Sequence, residues 1–244
     1  MINLENFLMT RLLNFEKIQF LEEIKIIRTT KRIKTLSVVI RNGKCEIKCP
    51  YFTTDKFLRK LLKKKETWIE IKIKESLMNA EKIRKFGKNY ICYQGKKITL
   101  VDKVSNQKKI IKTKNTLEIF YDSQKSAVRK NLIINWLKSE AKSYLSKRII
   151  FLSNKIDIKY KSVFIKSYRS RWGCCSSKGE IFLNWKLIML PKQVIDYVII
   201  HELAHIIFPN HSKYFWELVE KKCPNYTKSK EWLSKNGQVS ISIQ

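Results

Sequence analysis

All three histidines of the chain fall within eleven residues, in His201-Glu202-Leu203-Ala204-His205 and then His211. Positions i and i+4 of a helix share a face, so His201 and His205 project side by side. That spacing lets two imidazole nitrogens reach one ion at about 2.0–2.1 Å. Pro209 disfavours helical geometry at Phe208 and should stop the helix, and the turn that follows can bring His211 back as a third ligand. Three neutral imidazoles leave one tetrahedral corner to water, the open geometry of a catalytic zinc site. Glu202, next to the first imidazole, is then placed to act as general base toward a water whose pKa a metal lowers to about 7. Two blander readings use the same residues. A buried helix can carry His and Glu that only make core hydrogen bonds. A structural zinc would need a fourth protein ligand, for which Cys175 and Cys223 are the soft candidates.

The elements that must hold these groups follow from periodicity. Pro191 fits the first turn of a helix that runs through Val194, Ile195, Val198, Ile199 and Ile200 to about Ile207. That helix is apolar nearly all round and should be buried. Ser212 can cap a following helix through Lys213-Tyr-Phe-Trp-Glu-Leu-Val-Glu. Upstream, residues 126–151 carry apolar positions at helical spacing, and two strands are expected at Ser162–Tyr168 and Gly179–Trp185. The first half reads as largely antiparallel β. Strands are expected near 24–28, 35–40 and 45–49, with a tight hairpin turn at Asn42-Gly43. A second hairpin is expected around Gln94-Gly95 and a further strand at Thr116–Tyr121, with one helix from Thr53 past Trp68. Residues 1–20 show a weak amphipathic pattern, and the Lys63-Lys-Lys run reads as a solvated helix face.

Composition narrows the class. The 244 residues are 44% hydrophobic and 30% charged, enough apolar material for a sizeable core. With no 18-residue apolar run and no basic leader, neither a membrane span nor a secretory signal is expected, which points to the cytoplasm. The six cysteines include no Cys-x-x-Cys pair, as for free thiols in a reducing compartment. The net charge is +30, spread as 29 basic against 12 acidic residues in 1–120 and 22 against 9 in 121–244. Such a field attracts polyanions, though a Lys-, Ile- and Asn-rich composition gives the same excess without a function.

Four further stretches stand out: Ser170-Arg-Trp-Gly-Cys-Cys-Ser176, Ile181-Phe-Leu-Asn-Trp185, Asp196-Tyr-Val-Ile-Ile-His-Glu-Leu-Ala-His205 and Asn210-His-Ser-Lys-Tyr-Phe-Trp216. Together they resemble the YgjP-like metallopeptidase family, which is similar to the SprT and WLM zincins. Pro224-Asn-Tyr and Trp232-Leu match the family's tail, and Arg28-Thr-Thr-Lys-Arg-Ile-Lys, Cys49-Pro50 and Trp68-Ile69 its β-rich beginning. The resemblance implies an α+β fold: a zincin-like catalytic lobe with a buried His-Glu-x-x-His helix, preceded by a β-rich N-terminal lobe. By position it implies His201, His205 and His211 as ligands of one zinc or other divalent ion, with Glu202 as catalytic base. Residues 1–24 would be an extension, 25–122 the β-rich lobe and 123–240 the metal-binding lobe, with 25–240 one YgjP-like domain. Phe208 stands where metzincins carry Gly, and Cys174 where family members more usually carry Ser.

Arg169, Arg171 and Trp172 admit two readings. They can clamp a carboxylate or phosphate, with Trp172 stacking, or they can be a core tryptophan beside a structural ion pair. Asn184 and Phe182 are expected on an edge strand, where an extended peptide would add. The expected function is a zinc-dependent peptidase acting on a peptide. The alternatives are a metal-dependent nucleotide phosphoanhydride hydrolase, a SprT-like protease held on DNA by its basic surface, and a nucleic-acid-binding module with a structural metal.

Overall fold

The structure is a computed structural model that describes residues 24–122 and 126–241. The helix expected in residues 1–20 lies outside the described residues. The chain divides into two compact units at Glu81 and Lys82, whereas the expected boundary between the lobes lies at residue 122.

In the first unit, β1 (Lys25–Thr29), β2 (Ser37–Arg41) and β3 (Lys44–Pro50) form a sheet in the order β1-β3-β2. Asn42 and Gly43 take positive φ values of 49° and 78°, as a tight turn between antiparallel strands requires. Ile47, Cys49, Leu58 and Ile69 bury their side chains between this sheet and α1 (Asp55–Lys85).

The second unit begins with a four-stranded sheet ordered β4-β5-β7-β6. Its strands are β4 (Tyr90–Tyr93), β5 (Lys96–Val104), β6 (Lys109–Lys112) and β7 (Thr116–Tyr121). Gln94 and Gly95 make the second tight turn, at φ 49° and 79°. The expectation of a largely antiparallel first half is corrected at two pairings: β1 runs parallel to β3, and β5 parallel to β7. Alternating burial along a strand is the same for either direction, so the residue pattern does not choose between them. A helix, α2 (Ser126–Ile156), buries Ile133, Leu137, Ala141, Leu145 and Ile149 along one stripe. These join Ile91, Leu117 and Ile119 of the sheet in one core.

A second small sheet carries β8 (Ser162–Lys166), β9 (Gly173–Cys175) and β10 (Glu180–Asn184) in the order β8-β10-β9. A 3-10 turn, η1 (Trp185–Met189), leads into α3 (Lys192–Ala204), then α4 (Lys213–Lys222) and α5 (Tyr226–Ile241). As the apolar pattern required, α3 is central, with nine of its thirteen residues buried. Arg148 of α2 grips Asp196 of α3 through two bonds of 2.7 and 2.6 Å, fixing the helix against its neighbour. Among the described residues no helix is long and apolar enough to cross a membrane.

Candidate metal centre

The end of α3 carries two of the three histidines. His201 lies within the helix and His205 caps it, at φ −66° and ψ −15°. Regular helix ends at Ala204 rather than Ile207, because Ile206 and Ile207 donate to carbonyls three residues back. This tighter turn absorbs the stop that Pro209 imposes. The Ser212 amide donates to the Asn210 side chain, and the Ser212 hydroxyl accepts from the Phe215 amide, as an N-cap should. The cap starts α4 and swings His211 back over α3. The ring centroids of His211 lie 5.0 Å from those of His201 and 4.7 Å from those of His205.

One nitrogen from each of the three imidazoles falls within 4.8 Å of the others. His201 Nε2 and His211 Nε2 are 3.1 Å apart. Two nitrogens at 2.0–2.1 Å from a tetrahedral ion would stand about 3.3 Å apart, so the pair is already near bonding geometry. His205 directs Nδ1 to the Phe208 carbonyl at 3.1 Å, which fixes its ring and leaves Nε2 for a metal. His201 is held far from its cationic form. Burial and the neighbouring rings push it down from 6.5 to about 3, so its lone pair is available at neutral pH. Burial lowers His205 as well. Among the described residues neither Cys175 nor Cys223 joins this cluster, so the fourth ligand that a structural zinc would need is not brought in. The donor set fits a three-histidine metal site.

Beneath the rings lies Phe215, fully buried, its centroid 4.6–4.9 Å from each imidazole. It is a floor that keeps the three rings at one height. Only its position four residues after His211, on the apolar side of α4, hinted at it.

Glu202 sits beside His201 in a cavity of about 200 Å³. Its walls are Trp172, Gly173, Tyr197, Val198 and Leu233. Glu202 as a whole is 6% exposed, and burial pushes its pKa from 4.5 up to about 8, with Arg171 opposing. Gly173 of β9 abuts it directly: a Cβ there would stand 2.7–2.9 Å from Oε1, Cγ and Cδ of Glu202. The glycine is thus demanded by a side chain from another element, and nothing in its local sequence announces this.

The other expected site residues are placed differently. Trp172 lines the cavity and packs against α5 near Gly237. Arg171 is exposed, lies over the Tyr168 ring at 5.4 Å and acts on Glu202 through its charge. Arg169 is exposed and does not line the cavity. The edge-strand expectation for Phe182 and Asn184 is corrected. Their strand β10 is the central one, paired on both sides, and β8 and β9 are the edges. Asn184 is fully buried, and its amide donates to the carbonyls of Tyr168 and Arg171 at 3.1 and 2.9 Å. It ties down the arginine-bearing loop instead of facing the cavity.

Comparison with known proteins bears on the chain's family. The crystal structure of the metallopeptidase zymogen of Pyrococcus abyssi abylysin is similar at 24% identity and a TM-score of 0.35, over 38% of this chain and 96% of that one. A likeness that loose carries no argument. Among curated proteins none matches the chain. The model of a family described as YgjP-like, metallopeptidase domain, matches residues 34–236, which include every histidine and Glu202. By that match over most of its length, the chain belongs to the YgjP-like metallopeptidase family and is a metal-dependent hydrolase.

Proposed function

We propose that this protein is a zinc peptidase in which His201, His205 and His211 hold the ion and Glu202 is the general base. The observation that carries the reading is the convergence of three imidazole nitrogens within 4.8 Å, next to a buried carboxyl that shares a cavity with one of them. The bound ion supplies Lewis acidity to a water and to the scissile carbonyl oxygen. A bound divalent cation would favour the ionised form of Glu202, which accepts a proton from the attacking water and returns it to the leaving amine, so the carboxyl ends each cycle as it began. Gly173 and the burial of Glu202 hold that carboxyl in one place. Arg171, whose charge reaches the site, steadies negative charge that builds on the carbonyl oxygen. An extended substrate lies along the free edge of β9, next to Glu202, where backbone amides and carbonyls can pair with it.

The cavity lining favours a peptide over a nucleotide. Beyond His201 and Glu202 its walls are Trp172, Tyr197, Val198, Leu233 and the glycine, with no Lys or Arg among them. A phosphoanhydride would meet apolar surface there, while an apolar side chain would fill it. The test is purified protein, stripped by chelator and reloaded with zinc, offered a peptide library and a nucleotide panel. Zinc-dependent cleavage of peptides alone is expected. Nucleotide hydrolysis at a higher kcat/KM than any peptide would overturn the reading.

A further inference from the structure

A second cavity, of about 590 Å³, lies in the same unit but away from the histidines. Five lysines line it: Lys96 and Lys97 of β5, Lys112 and Lys114 around the end of β6, and Lys192 at the start of α3. All five are exposed, and no Asp or Glu is among the lining residues. Some cations elsewhere pair with a carboxylate, as in Arg28–Asp55, Lys72–Glu75 and Lys235–Glu231, although 51 basic residues outnumber 21 acidic ones. Among the described residues no ion pair involves any of these five. Like charges converging on one concave surface repel each other unless an anion neutralises them.

The groove is also stiff. The amides of Gln94 and Gly95, at the β4–β5 turn, donate to the carbonyls of Ile188 and Met189 at 2.7 and 3.3 Å. A Cβ on Gly95 would stand 2.8 Å from Pro191 Cα, so the turn is pressed against the start of α3. Lys112 lays its ammonium 5.0 Å from the Tyr93 ring, and Lys97 lies 4.8 Å from that of Tyr90. These contacts hold two of the charges on aromatic faces. The Tyr93 hydroxyl is turned away to Glu140 at 2.6 Å, so Tyr93 offers the groove a ring and not a donor.

We propose that this groove binds the phosphodiester backbone of a nucleic acid. Lysine point charges on an open surface follow a chain of phosphates without reading its bases. A free nucleotide would call instead for a closed pocket, whereas this groove is open, carries no arginine fork and has its one lining ring, Tyr93, under the Lys112 ammonium. The proposal is independent of the peptidase reading.

The test uses the zinc-loaded full chain and a fluorescein-labelled duplex of about 20 base pairs, as DNA and as RNA of the same sequence. Anisotropy titrations run from 50 to 200 mM salt. Lys96→Gln/Lys97→Gln/Lys112→Gln/Lys114→Gln should flatten the slope of log K against log salt by about 3–4, since each phosphate contact contributes about 0.9 on B-DNA. At 0.1 M salt it should weaken binding at least about 100-fold. A control, Lys56→Gln/Lys60→Gln/Lys63→Gln/Lys64→Gln on α1, removes the same charge from an exposed helix. It should cost less than about 5-fold. The corresponding Lys→Arg variant of the groove should bind like the native chain, which separates lost charge from lost fold. Whichever duplex binds more tightly identifies the backbone preferred. Equal weakening by the groove and control sets, or displacement of the duplex by 1 mM ATP, overturns the proposal.

Discussion

Gly173→Ala puts the most pressure on the proposed mechanism, because it adds one methyl group and touches no proposed ligand. The new Cβ would stand 2.7–2.9 Å from three Glu202 atoms, against about 3.5–4.0 Å for a comfortable contact. Relief requires the carboxyl to move by about 0.7–1 Å, since Gly173 is fixed by its pairing with Leu183 in β10. A displacement of that size at a catalytic group costs about 100-fold in rate. Overpacking in a tight site costs about 1–3 kcal/mol, and a melting temperature lowered by about 2–12 °C follows for a chain of this size. The three imidazoles are not touched, so zinc content should stay at one ion per chain. The assay is kcat/KM on a fluorogenic peptide, with elemental analysis and a thermal melt of the same preparation. Glu202→Asp in the Gly173→Ala background shortens the acid, so the double variant should lose less than the sum of the two single losses. A folded, zinc-loaded Gly173→Ala protein with native activity would refute the claim that the Glu202 carboxyl acts from where it is seen.

Other outcomes follow from the same geometry. Glu202→Gln should keep zinc and lose about 10²–10⁴-fold in kcat, read by elemental analysis and peptide cleavage; unchanged cleavage would remove Glu202 from the proposed role. In the metal-free protein the pKa of Glu202 is raised, from 4.5 to about 8, so its contribution to stability is present below pH 4.5 and is lost as pH rises through about 8. The melting temperature of metal-free Glu202→Gln should therefore gain on that of the native chain across this window. His201 has the opposite sign: its pKa is lowered from 6.5 to about 3, so its contribution is present above pH 6.5 and is lost as pH falls toward 3. Metal-free His201→Gln should lose less stability than the native chain between pH 6.5 and 4, followed by denaturant titration. Phe215→Ala should cost about 3–5 kcal/mol and weaken zinc binding, because the rings lose their common floor; a chelator competition reads the second effect. Asn184→Ala strands two carbonyls at about 1–3 kcal/mol each, and should raise KM more than it lowers zinc affinity.

The histidine spacing, the helix stop at Pro209 and the Ser212 cap were all legible because each is written within a few neighbouring residues. The same holds for the buried α3 and for the Asn42-Gly43 turn, since a helical stripe or a positive-φ turn is a local property. β6, β9 and α5 leave no clear local signature. The first two are only four and three residues long, and α5 carries too polar a pattern to stand out. Strand direction and neighbours were not legible either, so β10 was expected at an edge and lies in the middle. Pairing partners are chosen by how whole faces bury against one another, which no short window contains. The contact of Gly173 with Glu202, the Phe215 floor and the lysine groove join residues that are far apart along the chain or lie on different elements. The chain's residue order therefore determined which groups can do chemistry. Only the packing of sheet against helix decided which of them are desolvated, which are clamped and which face an open cavity.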